Sequence, residues 1–404
     1  MASSPGYEQV YRGRPTNSRS FDENLSNNYY ERDIIIRPLD VTNLPPNLPN
    51  DNSSEDNDIA IKKSIGIGCG LASLITQNLL IHPFIVLRRQ CQVNPNATTY
   101  HLVPITLIPV IIRLHHTQGL NTLWKGIGSV LIVRGLALMV DDFISKITPW
   151  PKEVTSESSI KSFGQHLILK CISIGIVAPF YSASLVETVQ SEIASERPGI
   201  LDVFRDGGIR LLEVGSKGRI IPIYALLVPH ITYGIVKYLF GLVVKGVATR
   251  FMIVRDRNLQ EKQGAYNKEI ISESTMQDIE LHSTLISMCA AEVLFYPLET
   301  VVHRLHLQGT RTIIDNLDTG RSVTPLLTSY SGAYDCYKTI ITNEGTLGLY
   351  KGFGSLVMQF GIHFLVLKAT KYVLTEIGTM LRPKPKIIKP STSMPIQPIY
   401  YDEA

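Results

Sequence analysis

The chain has 404 residues, of which 44% are hydrophobic and only 18% charged, a balance that excludes a mainly disordered chain and a solvated coiled coil. Its net charge of +4 is too small to argue for nucleic-acid binding, and no RNP-like, zinc-finger or basic-stripe pattern is present. Five cysteines, widely spaced and never arranged as CxxC, exclude a disulfide framework and read as reduced, mostly buried thiols.

Residues 1–60 are rich in Asn, Ser, Pro and Asp and hold five Lys+Arg against ten Asp+Glu, leaving the body with 34 against 25. That composition predicts a disordered acidic arm. It has no apolar core of a secretory signal, and Glu8, Asp22, Glu23, Glu31 and Asp33 argue against a mitochondrial transit peptide. The uncharged run from Ser64 to Leu87 then exceeds the roughly 20 residues that a helix needs to cross about 30 Å of hydrocarbon. Within it, Gly66 and Gly70 are expected to let helices approach closely. Apolar stretches follow at Gly126 to Val140, Leu167 to Val186, Ile220 to Val247, Leu285 to Leu298 and Gly352 to Ala369. These make six predicted spans, an even number that places both termini on one side. Arg134, Lys170, Lys237, Glu292 and Lys368 lie inside them, at a cost of roughly 2.5–3.5 kcal/mol each if they faced lipid, so the helices are expected to surround a polar interior. The charged segment from Arg250 to Glu280 is predicted to be a solvated loop. Arg382 to Ala404, with five prolines behind a basic start, is predicted to be an extended tail.

The spans are not independent. Trp124-Lys125-Gly126-Ile127-Gly128-Ser129 recurs as Tyr350-Lys351-Gly352-Phe353-Gly354-Ser355, each five residues after a glycine, Gly119 or Gly345, and each followed by an apolar span. Upstream lie Ile81-His82-Pro83 and Phe295-Tyr296-Pro297, with a middle copy at Val177-Ala178-Pro179. Pro83, Pro179 and Pro297 are each expected to kink a helix, because proline removes one intrahelical hydrogen bond and crowds the preceding turn. Three two-helix units follow: 61–150, a degenerate 151–248 and 282–381, with 249–281 connecting the second to the third. The third unit carries extra residues over Thr310 to Ser331.

In these motifs the sequence resembles the mitochondrial carrier family (solute carrier family 25), whose repeats carry Px[DE]xx[KR] on each odd helix and [DE]Gxxxx[WY][KR]G before each even one. Glu344-Gly345 through Tyr350-Lys351-Gly352 fits fully, whereas the first unit has Gln118-Gly119 before Trp124-Lys125-Gly126. The resemblance implies an all-α membrane protein with six transmembrane helices in three pseudo-symmetric repeats. It also implies two rings of inter-repeat ion pairs that close the bundle at its two ends. At one ring the acid positions read Ile85, Tyr181 and Glu299 and the basic ones Arg88, Ser184 and Val302, so only Arg88 and Glu299 are left to pair. At the other, the acid positions Asp142, Gly234 and Lys368 and the basic positions Ser145, Lys237 and Lys371 leave only Asp142 with Lys237. Arg134 and Lys368 remain as charges expected to face the cavity.

Stretches such as Ile81 to Asn94, Pro179 to Ile193 and Tyr296 to Asn316 are similar to a divergent outer-membrane branch of that family. The resemblance implies a multi-pass protein of the mitochondrial outer membrane with cytosolic termini. It further implies an adaptor role in mitochondrial fission and fusion, morphology and lipid homeostasis, with membrane lipids and the fusion, fission and membrane-contact machinery as partners. The alternative is a genuine solute or lipid translocator. No GxSxG, HExxH or triad-like arrangement points to an enzyme, and no cofactor is expected. His303 and His306 share a helical face but lack a third ligand, so no metal site is expected either.

Overall fold

The computed structural model describes residues 52–154, 158–193, 199, 201–212, 222–262, 273–320 and 322–381. Most of the arm expected at 1–60, and the tail at 382–404, lie outside them. The described chain is mostly helical. The first helix, α1 (Asn52–Ile75), begins inside the segment expected to be a disordered arm.

A π turn over Thr76–Leu80 separates α1 from α2 (His82–Val93), which starts with Pro83 in its first turn. Proline is tolerated there because that N–H has no intrahelical partner. The two helical segments meet at 41°. After α2 come α3 (Ile108–Gln118), a 3-10 turn over Leu120–Trp124, and α4 (Ile127–Ile147). The middle of the chain supplies α5 (Ile160–Val189), α6 (Asp202–Leu212) and α7 (Ile223–Lys262). The last part repeats the first: α8 (Glu273–Leu294) bends by 66° into α9 (Tyr296–Leu307), again with proline in the first turn. A short hairpin, β1 (Ile313–Asp315) and β2 (Val323–Pro325), precedes α10 (Ala333–Glu344), a 3-10 turn over Thr346–Tyr350 and α11 (Phe353–Leu381). The strands are antiparallel, with Ile314 opposite Thr324.

Three expectations are refined. First, Pro179 lies inside one continuous helix, α5, whereas Pro83 and Pro297 each open a second helix after a bend. Val177 and Ala183, on either side of Pro179, pack in one apolar cluster with Val133 of α4 and Val203 of α6. Second, residues 250–262, expected to be loop, continue α7. At 40 residues that helix is about 60 Å long, well beyond the hydrocarbon thickness, so its charged end projects past the apolar part. Third, against the six expected spans, three helices among the described residues are long and apolar enough to cross a membrane, or up to five if each bent pair counts as one span. The 21-residue α4 does not qualify, because Arg134, Asp141 and Asp142 interrupt it.

Around the bundle α4 packs on α5, α5 on α7, α7 on α8, and α1 on both α8 and α11. The close approach expected at Gly66 and Gly70 is shifted: Gln277 of α8 lies beside Gly66 and Leu374 of α11 beside Gly68, while Gly70 faces open space. All five cysteines are free. At one end α2, α5 and α9 each pack against the other two. That convergence places the polar side chains described next.

Candidate functional site at the converging helix ends

Arg88 of α2, 4% exposed, is the centre of the site. Its guanidinium donates to Glu299 of α9 at 3.1 Å and to Glu292 of α8 at 2.5 Å. Arg88 and Glu299 therefore form the pair expected from the family pattern. The second expected pair does not form. Lys237 of α7 binds Glu292 at 2.9 Å, and Asp142 binds Lys146 at 2.8 Å and Lys152 at 3.1 Å on the exposed end of α4. The reason is angular: successive residues of a helix point about 100° apart, so Asp141 rather than Asp142 faces the neighbouring helix, where it meets Lys170 at 2.5 Å.

Beside the ion pairs, a chain of neutral polar groups crosses from α2 to α5. Gln92 donates to Glu299 at 3.2 Å and contacts His303 Nδ1 at 2.8 Å, while His303 Nε2 lies 2.7 Å from the Tyr181 hydroxyl. Tyr181 stands at a ring position that the family pattern gives to an acid, and Arg89 lies over its ring, 5.8 Å from the centroid. His306 contacts Ser182 and, at 3.1 Å, His230 of α7. No metal is needed to account for these histidines, and among the described residues no group of three or more His, Cys, Asp or Glu is arranged to hold one.

The repeated motifs sit just outside this network and act alike. The residue before each bend proline reaches the motif lysine of its own unit: His82 Nε2 lies 3.0 Å from the carbonyl of Lys125, and the Tyr296 hydroxyl donates to that of Lys351 at 2.7 Å. Trp124 donates to the carbonyl of Leu79 in the π turn at 3.0 Å, while Tyr350 stacks on Tyr296 with rings 5.9 Å apart. Gly126 at φ +66° and Gly352 at φ +82° adopt a left-handed backbone. A Cβ there would come within 2.8 Å of Thr188 and 2.7 Å of Cys91, respectively, so glycine is required twice over. Gly119 and Gly345 end α3 and α10 at φ +83° and +73°.

Each motif lysine is buried and directed at the next unit. Lys125 Nζ donates to the carbonyl of Gln190 at 2.8 Å and to Asp315 at 2.9 Å. Lys351 Nζ donates to the carbonyl of Asn94 at 3.0 Å and binds Glu344 at 2.6 Å, a carboxylate also held bidentately by Arg304 of α9. Burial raises the cost of charging Asp315 and Glu344, yet the cations beside them and their hydrogen bonds hold both carboxyls below the ordinary value.

Of the charges expected to face the cavity, Arg134 is exposed and donates to Asn78 at 2.5 Å. Lys368 is exposed on α11. Sequence reasoning missed Asp315, Arg304 and the Gln92–His303–Tyr181 relay. Histidine, glutamine and tyrosine carry no charge signal, and the insertion holding Asp315 has no counterpart in the other units.

Comparison with known proteins agrees with these motifs. The sequence profile of the mitochondrial carrier protein family matches residues 64–143 and 279–377. The chain is 42% identical over 326 residues to a human protein named mitochondrial outer membrane protein SLC25A46, covering 78% of this chain and 76% of that one. A chicken (Gallus gallus) protein of the same name is 42% identical over 325 residues, 78% of each chain. The Xenopus laevis protein named solute carrier family 25 member 46-A is 43% identical over 339 residues, 82% of this chain and 80% of its own.

Proposed function

The chain belongs to the mitochondrial carrier family, and from that premise we propose that it is an outer-membrane adaptor built on a carrier scaffold. On this reading six helices cross the membrane in three two-helix units: α1–α2 with α4, α5 with α7, and α8–α9 with α11. Both termini are cytosolic. The chain serves mitochondrial fission and fusion, morphology and lipid homeostasis by engaging membrane lipids and proteins of the fusion, fission and membrane-contact machinery, and it does not exchange metabolites.

One observation carries this reading. Alternating access needs two ends that open in turn, and each must have a closed state that can be broken and re-formed. Only Arg88–Glu299 survives of the three pairs at the converging end. At the other end Asp142 pairs with Lys146 of its own helix and Lys152 just beyond it, not with Lys237, and Lys368 stands where the pattern asks for an acid. The names of the relatives support the outer membrane as the location.

A second reading, translocation of a lipid or solute, is favoured by a cavity of about 400 Å³ between α7 and α8, lined by Lys237, Tyr238, Gly241, Ser287 and Glu292. Complementation separates the two. In cells lacking the protein, Lys237→Ala should restore the mitochondrial network as fully as the wild type, because Lys237 lines the cavity and an adaptor does not use a cavity charge. A folded, correctly located Lys237→Ala chain that fails to restore it favours translocation.

A further inference from the structure

The insertion that lengthens the third unit directs its side chains at the other two. Asp315 of β1, 4% exposed, accepts hydrogen bonds from Gln90 of α2 at 3.1 Å, Gln118 at the end of α3 at 3.0 Å, Lys125 at 2.9 Å and Ser191 beyond α5 at 2.5 Å. The backbone follows the same path: Ser191 N–H donates to the carbonyl of Ile313 at 2.8 Å, and Gln190 forms a β-bridge with Ile314. Ile314 and Leu326 lie in one apolar cluster with Val93, Leu185, Val189 and Leu307, the last turns of α2, α5 and α9. Beyond the strand, Asp318 accepts from the N–H and hydroxyl of Thr98 at 2.8 and 2.9 Å and from Thr99 N–H at 3.1 Å. The hairpin is thereby fixed across all three converging ends.

A gap in the first unit gives these contacts their meaning. In the third unit Lys351 has an acid of its own unit, Glu344, seven positions earlier in the motif. The first unit has Gln118 at that position, so it supplies no carboxylate for Lys125. Asp315 supplies it from the insertion.

We propose that the hairpin of residues 310–326 is a built-in lock on the converging end, standing in for the two inter-unit ion pairs that this chain lacks. If the hairpin left, Lys125 would be buried without its counter-ion and the apolar cluster would open to water, so the end stays shut. The lock deepens the adaptor reading and rests on it for its purpose: an end fixed in this way cannot take part in an exchange cycle.

Hydrogen–deuterium exchange on the full-length protein in lipid nanodiscs tests the lock. Asp315→Ala should speed amide exchange at least tenfold in peptides covering 88–94, 185–193 and 303–308, and Asp318→Ala should do so to a smaller extent. A disulfide introduced by Gln190→Cys with Ile314→Cys should return the Asp315→Ala protein towards wild-type rates. Faster exchange confined to 310–326, or no recovery with the disulfide formed, overturns the proposal. If Asp315→Ala does not fold, Asp318→Ala with and without the disulfide decides the matter by the same two outcomes. Saturable solute flux through the wild type would remove the adaptor reading, while the exchange pattern alone decides the lock.

Discussion

Lys125 and Lys351 cap neighbouring helices in the same way: Lys125 Nζ reaches the carbonyl of Gln190 just past α5, and Lys351 Nζ reaches that of Asn94 just past α2, at 2.8 and 3.0 Å. The last carbonyls of a helix have no partners of their own and carry the negative end of its dipole, so a buried ammonium satisfies both needs. Each unit thus holds the odd helix of the next. Arg210 of α6 completes the pattern by donating to the carbonyl of His306 near the end of α9 at 3.1 Å.

Removing either lysine should therefore be costly. Lys125→Met leaves the buried Asp315 without its cation and should destabilise the fold by about 3–5 kcal/mol, whereas Lys351→Met leaves Glu344 still bound by Arg304 and should cost less. Lys146→Met breaks only an exposed pair and should have little effect on stability. Denaturant titration in detergent, following helical signal, measures all three.

Glycine substitutions should divide by backbone and space. Gly352→Ala places a methyl within 2.7 Å of the Cys91 Cβ on a left-handed backbone and should cost about 2–4 kcal/mol. Gly135→Ala, in the middle of α4 with open space around it, should stabilise by up to about 1 kcal/mol. Thermal melting of the two variants ought to give shifts of opposite sign.

A double-mutant cycle checks which charges act together. Arg88→Ala and Glu299→Ala should couple by about 1–3 kcal/mol, whereas Asp142→Ala and Lys237→Ala should add within about 0.5 kcal/mol. A strong coupling between Asp142 and Lys237 would restore the family's second pair and contradict the geometry.

Acid should loosen the hairpin. The Asp315 carboxyl is held below its ordinary value of about 3.9, so the unfolded chain takes up its proton first. Its contribution is complete above about pH 4 and is lost as pH falls through the lower folded value. Asp315→Asn should remove that part of the acid dependence of the melting temperature; an unchanged acid limb would show that Asp315 is not a source of it.

Much of the bundle was legible because its signals are local. The glycines at 126 and 352, the lysines beside them and the prolines at 83 and 297 recur at fixed spacing, and each has one physical task. What escaped is relational. That α5 runs on through Pro179 while new helices open at Pro83 and Pro297 is not marked by the prolines themselves. Which of Asp141 and Asp142 faces a partner is decided by a rotation of about 100° that hydropathy does not resolve. Asp315 lies in an insertion outside the repeat, so no spacing rule points from it to Lys125.

A carrier fold that keeps one of the family pattern's three ring pairs at its converging end, Arg88–Glu299, should not exchange solutes. Purified full-length protein in sealed liposomes, loaded in turn with nucleotides, carboxylates, amino acids and inorganic phosphate, measures this directly. For every class, uptake should be no faster than into protein-free vesicles. Saturable uptake of any one of them would mean that the fold still transports and that the adaptor reading is wrong.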